Sequence, residues 1–230
     1  MGINERKEKE KQIRRNDIID AAEKVFFLKG YDAATMDDVA KTAEFSKRTV
    51  YVYFNSKESL YFEIMVRGYK YLINMLELAL SNAKNRNAIE RIKLIGMTLY
   101  RFKNEYPNYF NAIMCYENGE KDFENDFENE TADHSREECY KLGERIFAYL
   151  SSALADGIAE GAIRSDIDLK STAIILRSCT MGLFNTVIKK KNYIEHYHKR
   201  DPEKLLMEGL SMLMGTIQNS NGGKENEEEE

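Results

Sequence analysis

Side chains that could bind nucleic acid are concentrated between residues 47 and 57. They are Lys47, Arg48, Thr49, Tyr51, Tyr53 and Lys57. Lysines and hydroxyl groups bind phosphate oxygens, and an arginine can also bind guanine through two hydrogen bonds in the major groove of DNA. Each residue alone is uninformative, so the prediction depends on the helices that would place them together.

Two short helices joined by a tight turn would position these side chains. Thr35 is a suitable N-cap for the first helix, and Ser46 is one for a second helix over 47–52. A longer helix precedes them, because apolar residues recur with helical spacing from Asn16 until Gly30. This arrangement is typical of a helix-turn-helix, whose second helix enters a major groove about 12 Å wide.

The remainder of the chain also has a helical pattern. Its 230 residues include only two prolines, too few for a loop-rich all-β protein. A long helix begins at Ser56, and the other predicted helices span about residues 89–106, 107–114, 135–160, 169–192 and 202–218. These patterns predict an all-α fold.

The distribution of charge removes one objection to DNA binding. The chain carries 34 Lys and Arg against 39 Asp and Glu, and this net charge of −5 taken whole argues against a nucleic-acid-binding protein. Residues 1–57, however, hold 12 basic and 10 acidic side chains, whereas the other residues hold 22 and 29. One Lys and five Glu lie in 224–230, which we expect to be a solvated tail. The amino-terminal part is therefore slightly basic.

Between Ile19 and Leu60 the sequence closely resembles the TetR (tetracycline-repressor) family of transcriptional regulators. The residues that carry the resemblance are Ile19, Ala21, Ala22, Phe26, Gly30, Tyr31, Thr35, Val39, Ala40, Ala43, Ser46, Thr49, Val50, Tyr51, Tyr53, Phe54, Lys57, Glu58 and Leu60. The resemblance implies a three-helix DNA-binding domain over 1–55. It also implies a six-helix ligand-binding and dimerisation domain over 56–220, which a disordered acidic tail over 221–230 would follow.

The resemblance further implies roles for individual side chains. The family's base-contacting positions fall on Lys47, Arg48, Thr49 and Tyr51. Its phosphate-contacting positions fall on Thr35, Ser46, Tyr53 and Lys57. Phe54 corresponds to an aromatic residue that packs inside the DNA-binding domain. Many members have a small residue in place of Arg48, so this side chain could contact either a guanine or a phosphate, and we favour the guanine.

The turn between the two short helices departs from the family pattern. It holds Glu44 where glycine is common in the family. Such a turn often needs a positive φ, which costs a residue other than glycine about 1 kcal/mol. We therefore expect a slightly strained or reshaped turn at this position.

An effector pocket and a dimer interface are expected beyond residue 60. Adaptable methionines and aromatic rings could line the pocket, although each one alone is better explained as ordinary core. The candidates are Met97, Phe102, Phe110, Met114, Tyr140, Phe147 and Phe184. The acidic stretch 117–133 could attract a cationic ligand or guard the pocket, but a solvated loop is the simpler interpretation. The last two helices, 169–192 and 202–218, are expected to form a four-helix dimer interface.

Other classes of function have little support in the sequence. No GxSxG, Walker, GxGxxG or paired CxxC motif is found, so we predict neither an enzyme nor a cofactor. His196 and His198 are a weak indication of a metal site, and we predict none. No signal peptide or long apolar run is recognised, which favours a cytoplasmic protein without a membrane partner.

The sequence therefore predicts a homodimeric repressor that binds a palindromic operator in double-stranded DNA. An unknown small-molecule effector would release it by favouring a dimer whose recognition helices are wrongly spaced for DNA. The alternative is a helical small-molecule-binding protein or enzyme without DNA function. Salt-dependent binding to duplex DNA would distinguish the two classes.

Overall fold

Helices account for nearly all of the chain that the structure describes. The structure is a computed structural model, and it describes residues 2–117 and 134–219, apart from the side chains of Ile3 and Glu117. The helices are α1 (Ile3–Lys29), α2 (Met36–Thr42), α3 (Lys47–Tyr53), α4 (Lys57–Ser81), α5 (Ala88–Glu105), α6 (Pro107–Glu117), α7 (His134–Ala159), α8 (Leu169–Lys189), α9 (Lys191–His196) and α10 (Pro202–Ile217).

The predicted all-α class is confirmed. Over the described residues there is no β-strand, and one antiparallel bridge joins Ile163 to Gln218. The predictions of an acidic loop and of an acidic tail fall on 118–133 and 220–230, which lie outside the described residues.

The first helix begins much earlier than the sequence predicts. α1 starts at Ile3, so the predicted start of this helix at Asn16 is wrong. Glu, Lys and Arg are good helix formers, and pairs four residues apart add to their stability, as between Glu10 and Arg14 at 2.7 Å. Apolar spacing could not reveal this segment because it is polar on nearly all sides. Gly30, with a φ of 78°, ends the helix as predicted.

Side-chain caps begin the next three helices where the sequence places them. The Thr35 hydroxyl accepts a hydrogen bond from the Asp38 amide at 3.1 Å, and the Asp38 carboxylate accepts one from the Thr35 amide at 3.1 Å. Ser46 accepts from the Thr49 amide at 3.1 Å, and Ser56 accepts from the amide three residues later at 3.0 Å. These bonds satisfy amides that have no partner within the first turn of a helix, so local sequence fixes all three starts.

The described chain divides into two compact units. The first unit comprises Met1–Tyr71 and Glu105–Gly143, and the second comprises Leu72–Asn104 and Glu144–Glu230. The division falls within α4 and within α7. The predicted domains over 1–55 and 56–220 stay a prediction, because the proximity of residues does not show which segment folds on its own.

In the first unit, α1, α2 and α3 share an apolar core. Its fully buried side chains include Ile18, Ala22, Val39 and Val50. Polar contacts link α1 to two further helices, because Glu23 of α1 accepts hydrogen bonds from Arg67 of α4 at 3.0 Å and from Tyr109 of α6 at 2.6 Å. One carboxylate of α1 therefore joins α1 to both α4 and α6.

In the second unit, α8 and α10 pack closely against each other. A Cβ at Gly209 would overlap the side chain of Leu183, so glycine permits the close approach. Phe184, Leu206 and Leu210 form a buried cluster between these helices. The helix predicted over 169–192 ends at Lys189, and the short helix α9, which the sequence did not predict, follows it.

Candidate nucleic-acid interface

One face of α3 is held against the core of the first unit, which leaves its other face exposed. Val50 is fully buried, and Phe54 is buried just after the helix, as predicted. The Arg15 guanidinium lies over the Phe54 ring, 5.1 Å from its centre, and pairs with Glu63 at 2.5 Å. The end of α3 is therefore attached to both α1 and α4, which fixes the direction in which its exposed face points.

The turn between α2 and α3 has the strained conformation that the sequence predicts. Glu44 has a φ of 57°, in the left-handed region that favours glycine. The Phe45 amide that follows donates to the Ala40 carbonyl at 3.0 Å, as expected where a helix ends in a left-handed residue. The prediction is confirmed, and the strain lies directly before α3.

Lys47 and Arg48 begin α3 with exposed side chains. The Lys47 ammonium lies 2.7 Å from the Asp37 carboxylate of α2. A hydrogen bond with Asp37, and then its negative charge, raises the pKa of Lys47. Among residues 2–117 and 134–219, Arg48 has no ion-pair partner, so its guanidinium is the more available of the two.

The later residues of α3 differ in how far they reach into solvent. Thr49 is half-buried, and its hydroxyl lies 2.8 Å from that of Ser46, within the N-cap. Tyr51 is 43% exposed, but Val52 is 75% exposed. The sequence prediction omits Val52, which lies one turn after Arg48 on the same face of the helix. Val52 could have been identified from the sequence, because it is apolar although Val50 already fills the inward-facing position of α3.

Of the three hydroxyl-bearing phosphate candidates, Thr35 and Ser46 lie at the starts of α2 and α3, and Tyr53 lies at the end of α3. Thr35 donates to the Asp38 carboxylate at 2.8 Å while it caps α2. Ser46 is exposed at the start of α3, and Tyr53 is half-buried at its end. Helix N-termini present main-chain amides as well as these hydroxyl groups, so both kinds of donor are available to an anion.

Lys57, the fourth phosphate candidate, has its ammonium engaged inside the first unit. It donates to the carbonyls of Tyr31, Asp32 and Ala34, at 2.8, 3.4 and 3.1 Å. It also lies over the Tyr31 ring, 4.3 Å from the ring centre. An ammonium has three N–H groups, so binding a phosphate would require it to leave at least one carbonyl.

The predicted pocket residues are divided between the two units. Phe110, Met114 and Tyr140 lie in the first unit, and Met97, Phe102, Phe147 and Phe184 lie in the second. Each is buried or half-buried, as in ordinary core. The proposed pocket therefore stays a prediction. A cleft of about 850 Å³ exists in the first unit, but it is lined by other residues, from α1, α4 and α6.

Two further observations concern metals and membranes. Within the parts of the chain that the structure describes, no group of three or more His, Cys, Asp or Glu side chains is placed to hold a metal ion.

By length and composition alone, α8 could cross a membrane, and 22% of its most apolar stretch is buried. An amphipathic helix that packs on one side and faces a partner on the other has the same properties.

Together, α2, the turn at Glu44 and α3 define a helix-turn-helix of the kind found in DNA-binding regulators. Residues 18–64 match the family model described as "Bacterial regulatory proteins, tetR family". By this match, the amino-terminal part of the chain is similar to the TetR family of transcriptional regulators.

Named relatives agree with this assignment. The biofilm operon negative transcriptional regulator IcaR of Staphylococcus aureus is 39% identical over 62 residues, which span 27% of this chain and 33% of IcaR. The match thus covers only a third of that relative. An uncharacterised HTH-type transcriptional regulator of Bacillus subtilis, YhgD, is 29% identical over 170 residues, or 74% of this chain and 82% of YhgD.

Solved structures show the same fold over most of the chain. The transcriptional regulator FadR of Bacillus subtilis, solved in complex with stearoyl-CoA, superimposes with a TM-score of 0.60. The superposition covers 87% of this chain and 98% of FadR, at 20% sequence identity. At this identity the likeness concerns the fold alone, so it does not transfer the FadR ligand.

Proposed function

We propose that this protein is a transcriptional repressor that binds operator DNA and releases it when a small molecule binds. The observation that carries the proposal is α3, a capped helix that buries Val50 and exposes Lys47, Arg48 and Tyr51. The description of IcaR as a negative regulator supports repression. The complex of FadR with stearoyl-CoA supports control by a small molecule.

The DNA contacts that we propose divide into two groups. Base contacts come from Lys47, Arg48, Thr49 and Tyr51, and phosphate contacts come from Thr35, Ser46, Tyr53 and Lys57. To the base contacts we add Val52, whose exposed methyl groups suit the methyl group of thymine. Of the phosphate contacts, the Lys57 ammonium should contribute least, because three carbonyls already accept its hydrogen bonds.

The second unit supports a homodimer. Large apolar side chains are exposed on both α8 and α10, where they are Ile174, Ile175, Met207 and Met212. Burial of these groups against a second copy would remove them from water, as a two-fold interface does. Such a dimer would act in the cytoplasm on a palindromic operator whose half-sites lie about 34–36 Å apart.

Selection of bound sequences from a random duplex pool tests DNA recognition directly. A palindromic sequence should be enriched, and binding should weaken as salt rises, because phosphate contacts release counterions. Lys47→Ala combined with Arg48→Ala should abolish the enrichment. Arg164→Ala combined with Lys170→Ala removes the same charge from exposed sites in the second unit and should leave binding intact. Loss of binding in both double variants would contradict recognition by α3.

The mass of the full chain in solution tests the dimer. Light scattering should give twice the mass of one chain, and Ile175→Glu should shift it towards the mass of one chain, since a buried charge without a partner is costly. Leu78→Glu alters an exposed leucine of α4 and should leave the mass unchanged. A wild-type protein with the mass of one chain at micromolar concentration would refute the dimer.

A further inference from the structure

The cleft in the first unit has the size and the aromatic lining of a ligand site. Its volume is about 850 Å³, within the roughly 300–1,000 Å³ typical of small-molecule pockets. Rings from α1, α4, α6 and the segment that follows α1 form much of its wall, and they are Phe26, Phe27, Tyr31, Tyr61, Phe62 and Tyr116. We refer to it as the α1–α4–α6 cleft.

The aromatic rings of the cleft form two packed groups. Tyr31 and Tyr61 lie 4.6 Å apart between ring centres, and Phe26 packs edge-on against Tyr61 at 5.7 Å. Phe62 and Tyr116 meet edge-to-face at 5.2 Å. Rings fixed in this way lose little entropy when a flat apolar ligand binds, so the wall is preorganised.

Charged lining residues of the cleft are all acidic. They are Asp32 and Glu58, and the polar remainder includes the amides of Asn108 and Asn111. Glu58 pairs with Arg136 at 2.9 Å, but no ion pair holds the Asp32 carboxylate among the described residues. Asp32 is therefore the charged residue of the lining that no ion pair of the described residues holds, and the aromatic rings of the wall attract cations through their π faces.

The acidic side chains of the cleft also raise the pKa values of its tyrosines. Burial raises the pKa of Tyr31, and the charges of Glu58 and Asp32 raise it further. Burial likewise raises the pKa of Tyr61, and Asp32 adds to the effect. Their phenols thus stay neutral at physiological pH. The protein already places cations on two of these rings, with Lys57 over Tyr31 at 4.3 Å and Arg136 over Phe62 at 5.0 Å.

We propose that the α1–α4–α6 cleft binds a lipophilic aromatic monocation, and that this ligand is the effector that weakens DNA binding. An acidic lining disfavours an anion such as an acyl-CoA, whose phosphates would meet Asp32 and Glu58 without a basic partner in the lining. The effector role rests on the proposed DNA-binding function, whereas ligand binding does not.

The position of the cleft explains how a ligand bound there could alter the position of α2. Tyr31 and Asp32 line the cleft, and their carbonyls, with that of Ala34, are held by Lys57. The segment they form leads directly into Thr35, the N-cap of α2. A ligand bound against the Tyr31 ring would displace this segment and break its contact with Lys57. Because α2 begins where the segment ends, the displacement would also move the start of α2.

Tetraphenylphosphonium and tetraphenylborate provide a matched pair of probes, because they share a shape and differ in the sign of their charge. Calorimetric titration of the full chain should show at least tenfold tighter binding of the cation. Equal affinities, or a preference for the anion, would overturn the proposal.

Substitutions locate the charge that the cation recognises. Asp32→Asn should weaken tetraphenylphosphonium binding at least fivefold, and it breaks no ion pair of the described residues. Glu58→Gln should weaken binding too, but it also removes the pair with Arg136, so circular dichroism must first show that it is folded. Asp166→Asn removes an exposed acid in the second unit and should change nothing. Equal affinity for wild type and Asp32→Asn would overturn the proposed cleft.

The thiol of Cys115 reports occupancy of the cleft independently of charge. It is exposed and belongs to the lining. Tetraphenylphosphonium should slow its alkylation by N-ethylmaleimide several-fold, measured by mass spectrometry, whereas tetraphenylborate at the same concentration should not. Cation binding without protection of Cys115 would place the ligand elsewhere and refute the cleft as its site.

A DNA-binding assay separates this proposal from the proposed function. With an operator duplex obtained by selection, saturating tetraphenylphosphonium should weaken binding by wild type at least tenfold, and Asp32→Asn should need an at least fivefold higher concentration of the cation for the same effect. If the cation binds the cleft but leaves DNA affinity unchanged, the effector role is overturned. If the chain binds no duplex at all, the proposed regulator function fails, while the titration and alkylation results still decide whether the cleft takes a cation.

Discussion

The left-handed turn at Glu44 leads to a stability prediction whose size follows from the structure. Its φ of 57° costs a residue with a Cβ roughly 1–2 kcal/mol. Glycine would remove that cost, but the more flexible unfolded chain would offset about 0.4–1 kcal/mol of the gain. We therefore expect Glu44→Gly to raise the free energy of unfolding by about 0.5–1 kcal/mol. For a chain of this length the melting temperature should rise by about 1–4 °C.

Urea unfolding of the full chain measures this change through the midpoint at an unaltered slope. Glu44→Ala is the matched control, because it removes the same carboxylate and leaves the strained φ in place. It should give no gain in stability. Lys199→Gly changes a second residue with a positive φ, at 53°, and should stabilise in the same direction. If alanine stabilises as much as glycine at position 44, loss of the side chain rather than backbone strain is the cause, and the reasoning is refuted.

Three further predictions concern charged side chains. Asp37→Asn frees Lys47 from its ion pair and removes an acidic side chain beside α3. The affinity for DNA, measured by fluorescence anisotropy, should therefore rise several-fold. Unchanged affinity would count against Lys47 as a DNA contact. Arg48→Ala should reduce discrimination at one base pair by about 1–3 kcal/mol on singly substituted duplexes, whereas uniform weakening would indicate a phosphate contact. A hydrogen bond from Lys29 lowers the pKa of Asp38 in the folded protein. The ionised carboxylate therefore stabilises the fold at any pH above its ordinary pKa of about 3.9. This stabilisation is lost as the pH falls through the lowered pKa of the folded state. Asp38→Asn should therefore melt with a smaller dependence on pH in that range, and an unaltered dependence would contradict the assignment.

Features that depend on a few neighbouring residues could be predicted from the sequence. The caps at Thr35, Ser46 and Ser56 each join a side chain to an amide three residues later, so a short stretch of sequence determines them. The left-handed conformation of Glu44 could be predicted because the family that the sequence resembles commonly has glycine at this position. The start of α1 could not be predicted from apolar spacing, because charged pairs and intrinsic propensity maintain that helix without an apolar face.

The cleft could not be predicted because its lining comes from distant parts of the chain. Phe26, Tyr61 and Tyr116 belong to three helices, and each has the same apolar spacing as a core residue. Periodicity shows which side of a helix avoids water, but it does not distinguish a filled core from a cavity. The same limit applies to pocket candidates chosen by residue type, such as Phe102, which is fully buried.

Electrostatic attraction and the proposed release of DNA act in opposite directions. A cation in the α1–α4–α6 cleft adds positive charge to the unit that carries α3, which alone would favour phosphate binding. At physiological salt, exposed charges more than about 8 Å apart are largely screened, so this term should be small. Release must then come from displacement of the segment from Tyr31 to Ala34, which Lys57 holds and which leads into the cap of α2. A displacement of this kind does not depend on ionic strength. The factor by which tetraphenylphosphonium weakens DNA binding should therefore stay the same as the salt concentration rises. A purely electrostatic effect would instead strengthen DNA binding, and it would decrease as the salt concentration rises.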